Sequence, residues 1–206
     1  HTDIDALRRA NEMKDAFIAD ASHELRTPIA AAKATAQLAM RRLTTADESV
    51  VRSLRTIGSQ IDRMAKLVEN LLDVSRVQIG RLSLELGEFD LALLVRETVE
   101  RLQLLTDTHR IVLDMPPAWV MTGDRCRLEQ VITNLVTNAI RYSPKGGEIT
   151  VSLRPQGEDA CLSVRDQGIG IAPELQPGVF ERFGRAHGSK YGGLGLGLTI
   201  VQGIVA

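Results

Sequence analysis

RLEQVITNLVTNAIRYSP, residues 127–144, is the stretch from which the second half of this chain is read. Its apolar residues recur three and four apart, the spacing of an amphipathic helix. Asn134 and Asn138 lie four apart and so share one face of that helix. Asparagine inside a helix is mildly unfavourable because its amide competes with the backbone, so two on one face ask for a reason. Amide oxygens suit Mg²⁺, which keeps several waters and takes few protein ligands alongside substrate phosphates. The alternative is polar packing or capping with no ligand.

Outward from this stretch, Asp124 is the N-cap candidate and Pro144 the stop, which sets the helix at Arg125–Tyr142. Upstream, RLSLELGEFDL reads as a short strand entering a new unit and Leu91–Leu105 as a helix. RIVLDMP and AWVMTGD read as strands with Pro116 and Pro117 at the turn between them. Downstream, EITVSLRP and ACLSVRDQG are β-rich runs with a polar connection, consistent with a hairpin. This mixture predicts a two-layer α/β sandwich.

Two glycine clusters follow. In VRDQGIGIAP, Gly168 and Gly170 let the backbone approach a ligand, and Asp166 can accept from an exocyclic amine such as that of adenine. Glycine-rich turns after strands are common, so this run alone decides nothing. GGLGLGLTIV places Gly193, Gly195 and Gly197 just before an apolar helix, an arrangement that suits a polyphosphate. Neither the P-loop pattern nor the dinucleotide fingerprint is present, so a different nucleotide fold is implied.

The first part of the chain is helical in character. From Ile4 to Leu43 breakers are almost absent and Pro28 is the only proline, which predicts one long helix bent just before Pro28. After a polar break at 44–47, apolar residues recur at Val50, Leu54, Ile57, Ile61, Met64, Val68 and Leu71. That heptad seam, with the short connection, predicts an antiparallel hairpin that cannot cover its own apolar face. Two hairpins joined in a four-helix bundle would cover it, so a homodimer is expected; a hairpin folded against the rest of the chain is the alternative. The second helix should end near Gly80, and the domain boundary is placed there, at 1–80 and 81–206.

In ASHELRTPIA, His23 and Thr27 share a helix face and Glu24 stands beside the histidine. A nucleophilic imidazole needs one ring nitrogen free and the other held, and a neighbouring carboxylate can take a proton during attack. A solvated surface histidine beside an ordinary surface glutamate is the alternative.

Composition fits this reading. The 206 residues are 44% hydrophobic and 25% charged, ordinary for a globular chain long enough to bury a core. A net charge of -1 gives no overall attraction to nucleic acid or an acidic membrane surface. Cys126 and Cys161 lack metal-ligand spacing and lie in apolar segments, so both are expected to be reduced core residues. No apolar run approaches the ~20 residues of a membrane span, so this segment is expected to be cytoplasmic with no membrane contact, although the full-length protein can be membrane-anchored.

These segments, in this order, resemble the sensor histidine kinases of two-component signalling: a dimerisation and phosphoacceptor domain followed by the ATP-binding domain shared with gyrase and Hsp90. SHELRTP is similar to the family's phosphoacceptor box, NLVTNAIRYSP to its asparagine box, DQGIGI to its first glycine box, FERF to its phenylalanine box and GLGLGL to its second glycine box. The resemblance covers nearly the whole chain. It implies that His23 is phosphorylated from ATP, that Glu24 assists as base, and that Thr27 positions water if the enzyme also works as a phosphatase. It implies Asn138 as the Mg²⁺ ligand, Asn134 and Arg141 beside the phosphates, Tyr142 near the nucleotide and Asp166 on the adenine amine. Gly168, Gly170, Gly193, Gly195 and Gly197 would shape the pocket and its lid, with Phe180 and Phe183 anchoring the lid or packing in the core. The phosphate would pass to an aspartate of a response regulator receiver domain.

The chain departs from the family pattern in places. Arg141 stands where lysine is usual, Gly184 follows FERF where an aromatic is common, and the chain stops at Ala206 where relatives continue through further strands, so the ATP-binding domain is expected to look truncated. Two rival readings remain. A gyrase-like ATPase would use an early carboxylate of the asparagine-box helix, for which Glu129 is the candidate. A catalytically impaired dimeric scaffold would retain only the shape.

Overall fold

A hairpin of two helices forms what is described of the amino-terminal part. The computed structural model describes residues 29–37, 39, 48–78, 82–157, 159–181 and 195–206. It divides into two units, residues 1–82 and 83–206. Residues 29–37 are helical (α1), and α2 runs over Glu48–Gln78 with Glu48 in its first turn and Arg76 in its last, both favourable to the helix dipole. Ile29 and Ala36 bury against Ile61, with Ala65 and Val68 packed on them. The seam therefore splits. Ile61 and Val68 meet α1, whereas Val50, Ile57 and Met64, seven residues apart, are 42%, 49% and 52% exposed. Most of the helix expected from Ile4 to Leu43, with the bend before Pro28, lies outside the described residues, as does Gly80.

The second unit is a two-layer arrangement of helices on a sheet. Its elements are β1 (Gly87–Asp90), α3 (Leu91–Gln103), β2 (His109–Asp114), β3 (Val120–Gly123), α4 (Arg125–Tyr142), β4 (Gly147–Gln156), β5 (Asp159–Arg165) and α5 (Gly197–Val205). Two short 3-10 turns, Pro173–Leu175 and Pro177–Phe180, lie between β5 and α5. Strand order β2-β4-β5 makes the main sheet, with β2 parallel to β4 and β4 antiparallel to β5. The expected hairpin of β4 and β5 is present, its register pairing Val151 with Val164. The two strands flanking Pro116 and Pro117 do not pair with each other, because β3 joins β1 in a separate antiparallel ribbon.

The core follows from periodicity. Every second residue of β4, Ile149, Val151 and Leu153, is fully buried, as strand alternation requires. Leu94, Val95 and Val99 of α3 and Ile132 and Val136 of α4 pack onto Val151 and Leu153. Burying side chains of that size contributes about 1.5–3 kcal/mol each, so this helix-on-sheet layer is what fixes the orientation of α4. Both cysteines contradict the expectation of core positions, since each is free and exposed. Cys161 falls on the outward phase of β5, and Cys126 sits in the first turn of α4 away from Ile132.

Candidate functional site

The site is built along α4. Asp124 caps this helix, its Oδ1 accepting from Arg127 N–H at 3.0 Å while Oδ2 accepts from Glu85 N–H at 2.9 Å. Burial is the largest single influence on this carboxyl and raises its pKa. The N–H groups of Arg127, Glu85 and Cys126 with the Arg127 charge together outweigh it, and the result lies below the ordinary value. Asp90 is also lowered, chiefly by the Trp119 N–H against the opposing effect of burial, with help from Leu93, Ala92 and the Arg96 charge.

Residues two apart on a helix point about 200° apart. Burying Ile132 and Val136 therefore turns Asn134 and Asn138 to the far side of α4, where both are half-buried. The start of α5 meets them there. Asn134 Nδ2 donates to the Gly197 carbonyl at 3.4 Å, and a side chain at Gly197 would first touch Asn134 at 3.7 Å. Among the described residues no side chain caps α5, and Gly195 just before it has φ +69°. Phe180 is 44% exposed. Its carbonyl accepts from the Thr199 hydroxyl at 2.9 Å, tying the preceding turn to α5.

The other end of α4 carries the second group. Arg141 is exposed, Tyr142 half-buried and Ser143 buried. Asp166, just past β5, holds Gly168 N–H at 2.8 Å and the Ser143 hydroxyl at 3.4 Å on the same oxygen. Ile169 N–H donates to the Tyr142 carbonyl at 3.0 Å, stitching the glycine loop to the helix end. The approach is so close that a Cβ on Gly168 would lie 2.2 Å from that carbonyl oxygen. Gly170 has φ +67°.

Seven of the expected residues thus gather in two groups along one helix. Asn134, Gly195 and Gly197 form one; Tyr142, Asp166, Gly168 and Gly170 form the other. Asn138 lies on α4 between them, and Arg141 is at its carboxyl end. His23, Glu24, Thr27, Phe183 and Gly193 lie outside the described residues. His109 and Ser143 were not read from the sequence. His109 Nε2 lies 2.8 Å from the Ser143 carbonyl, and its Nδ1 faces the hydroxyls of Thr106 and Thr108 at 2.7 and 3.2 Å. The only sequence signal was a histidine opening a strand after the polar run Thr106–Thr108.

Glu129 does not fit the role of a catalytic carboxylate. It is ion-paired to Arg101 at 2.5 Å and to Arg125 at 3.8 Å, and it lies nine residues, about half a turn in angle, from Asn138.

Residues 13–80 match the family model described as His Kinase A (phospho-acceptor) domain, and residues 123–206 match that described as Histidine kinase-, DNA gyrase B-, and HSP90-like ATPase. The structure of the Acinetobacter baumannii histidine kinase AdeS is 31% identical, with 89% of this chain and 85% of that one covered and a TM-score of 0.60. The chain belongs to the sensor histidine kinases of two-component systems. Among its relatives, the sensor-like histidine kinase SenX3 of Mycobacterium bovis is 37% identical over 213 residues, covering 100% of this chain and 51% of its own. ShkA, whose full-length crystal structure is in complex with AMPPNP, is similar at 25% identity and a TM-score of 0.73, over 92% of this chain and 40% of that one. The chain spans about half or less of the length of the first curated relatives it matches. No helix among its described residues is long and apolar enough to cross a membrane.

Proposed function

We propose that this chain is the catalytic core of a histidine kinase that phosphorylates its own His23 from ATP and Mg²⁺ and passes the phosphate to an aspartate of a response regulator. Residues 1–80 serve as the dimerisation and phosphoacceptor hairpin and 81–206 as the ATP-binding domain. One observation carries the nucleotide reading: two segments far apart in sequence, the Asp166–Gly170 loop and the start of α5, converge on α4 and its asparagine pair. Asn134 and Tyr142 are about 12 Å apart along the helix axis, so phosphates at one end and a base at the other can be served together. Asp166 accepts from the adenine amine, Tyr142 lies against the nucleotide, and Arg141 with Asn134 and the α5 N–H groups neutralises phosphate charge.

The donor set fits a cation carried mainly by the substrate. Among the described residues no three His, Cys, Asp or Glu side chains converge, whereas one amide oxygen, that of Asn138, suits Mg²⁺ that keeps its waters and phosphate ligands. Bound Mg²⁺ would supply charge neutralisation at the transferring phosphoryl group. His23 then attacks with a ring nitrogen, Glu24 takes the ring proton, and ADP leaves. Thr27 positions water for the reverse, phosphatase reaction. The stripe of Val50, Ile57 and Met64 supports a homodimer, since α1 leaves it uncovered. Supply of ATP and access to the receiver partner favour a cytoplasmic location for this part, whether or not the full-length protein is anchored in the inner membrane.

Incubation with γ-labelled ATP and Mg²⁺ tests the proposal. The wild-type chain should take up label that is acid-labile and alkali-stable, His23→Gln should take up none, and added receiver domain should strip it. Equal labelling of the variant would sink the assignment. Phosphate release without His23 would favour a gyrase-like ATPase, a reading that the ion pairs of Glu129 count against.

A further inference from the structure

We propose that Ser143, held in place by His109, is the positioning residue that fixes the Asp166 carboxylate and so sets the preference for a 6-amino over a 6-oxo purine. The inference rests on the nucleotide reading above and extends it to two residues that do not touch the base.

The chain of contacts is short and mostly buried. Ser143 ends α4 in a non-helical conformation, φ -113° and ψ 62°, and is 2% exposed. Its carbonyl can only accept, so the ring nitrogen of His109 at 2.8 Å must be the donating Nε2–H. Gly146 N–H donates to the same carbonyl at 2.9 Å. His109 is itself 7% exposed, its Nδ1 side held by the Thr106 and Thr108 hydroxyls. With its backbone held in this way, Ser143 presents its hydroxyl across the helix end, where it donates to Asp166 Oδ1 at 3.4 Å.

Gly168 N–H lands on that same oxygen at 2.8 Å. Both inner bonds therefore use Oδ1, and among the described residues no bond falls on Oδ2, which faces an incoming donor in this reading. An ionised carboxylate only accepts. A 6-amino purine offers it a hydrogen, whereas a 6-oxo purine sets oxygen against oxygen, and such a mismatch is what a polar site rejects most strongly. Without the hydroxyl the carboxylate keeps a single inner bond and is free to rotate away from its orientation, so discrimination should fall while contacts to the phosphates persist.

The experiment measures dissociation constants of ATP and inosine triphosphate for the full chain by calorimetry. Ser143→Ala is expected to weaken ATP by about tenfold, near the low end for a hydrogen bond to a charged group, and to leave inosine triphosphate nearly unchanged. His109→Phe should give the same fall in the ratio, and Ser143→Thr should keep the wild-type ratio. An equal loss of both nucleotides in Ser143→Ala would mark a merely structural role and overturn the proposal. If that variant does not fold, Ser143→Cys, with a weak donor of similar size, is judged by the same ratio. Asp166→Ala separates the two layers. If it leaves the ratio at the wild-type value, the adenine reading itself fails; if it collapses the ratio and Ser143→Ala does not, only the present inference falls.

Discussion

At Gly168 a single methyl group has nowhere to go. Besides the Tyr142 carbonyl oxygen at 2.2 Å, it would meet Asp166 Oδ1 at 2.7 Å and the Ser143 hydroxyl at 2.8 Å. Gly168→Ala must therefore push the loop off the helix end, at about 1–3 kcal/mol by the scale of overpacking. ATP affinity measured by calorimetry should fall at least about fivefold, with the fold retained. Asp124 does two jobs, and its loss should show in stability. Asp124→Ala removes the cap of α4 and the anchor of Glu85, so chemical denaturation should report a loss of about 1–2 kcal/mol. The capping role of Asp124 was legible because it sits directly before the start of a helix. His109 was not legible, since its partner Ser143 is 34 residues away and nothing local marks a ring nitrogen aimed at a distant carbonyl.

Elements divide along the same line between near and far. The span of α4 follows from its own cap and from Pro144, and the β4–β5 hairpin from its own turn. The partners of β2 and β3 were hidden, because β2 pairs with a strand beyond α4 and β3 reaches back to β1. Local alternation says that a strand exists and is silent on its neighbour. The cysteines failed for a related reason: apolar sequence company does not tell which phase of a strand or helix faces the core. On α2 the periodicity was sufficient to find the seam, and the structure adds which half of it α1 covers. Ile57 and Met64 are exposed in the single chain, so charging them costs the monomer little. Ile57→Asp with Met64→Asp should convert a dimer to a monomer in sedimentation velocity, with far-ultraviolet circular dichroism still showing folded protein. A variant that remains dimeric would remove this stripe from the interface.

On the scale of the whole molecule, the two depressed carboxyls both lie in the second unit. Asp90 and Asp124 hold protons less readily when folded than when unfolded, so acid drives proton uptake by the unfolded chain and stability falls. The stabilisation is complete above the ordinary carboxylate value of about 4 and is lost as pH drops through the lower folded values. Trp119 is the sole tryptophan and donates its backbone N–H to Asp90 at 2.9 Å, so its fluorescence follows this unit alone. The urea midpoint read from it should be level from pH 7 to about 5 and fall below about 4, and Asp90→Asn with Asp124→Asn should flatten that fall. Ile132 and Val136 are wholly enclosed on the inner side of the helix whose outer side carries the asparagines. A genetic screen for silent signalling mutants should accordingly recover lesions at these two positions, far from any ligand, with the same phenotype as lesions in the pocket.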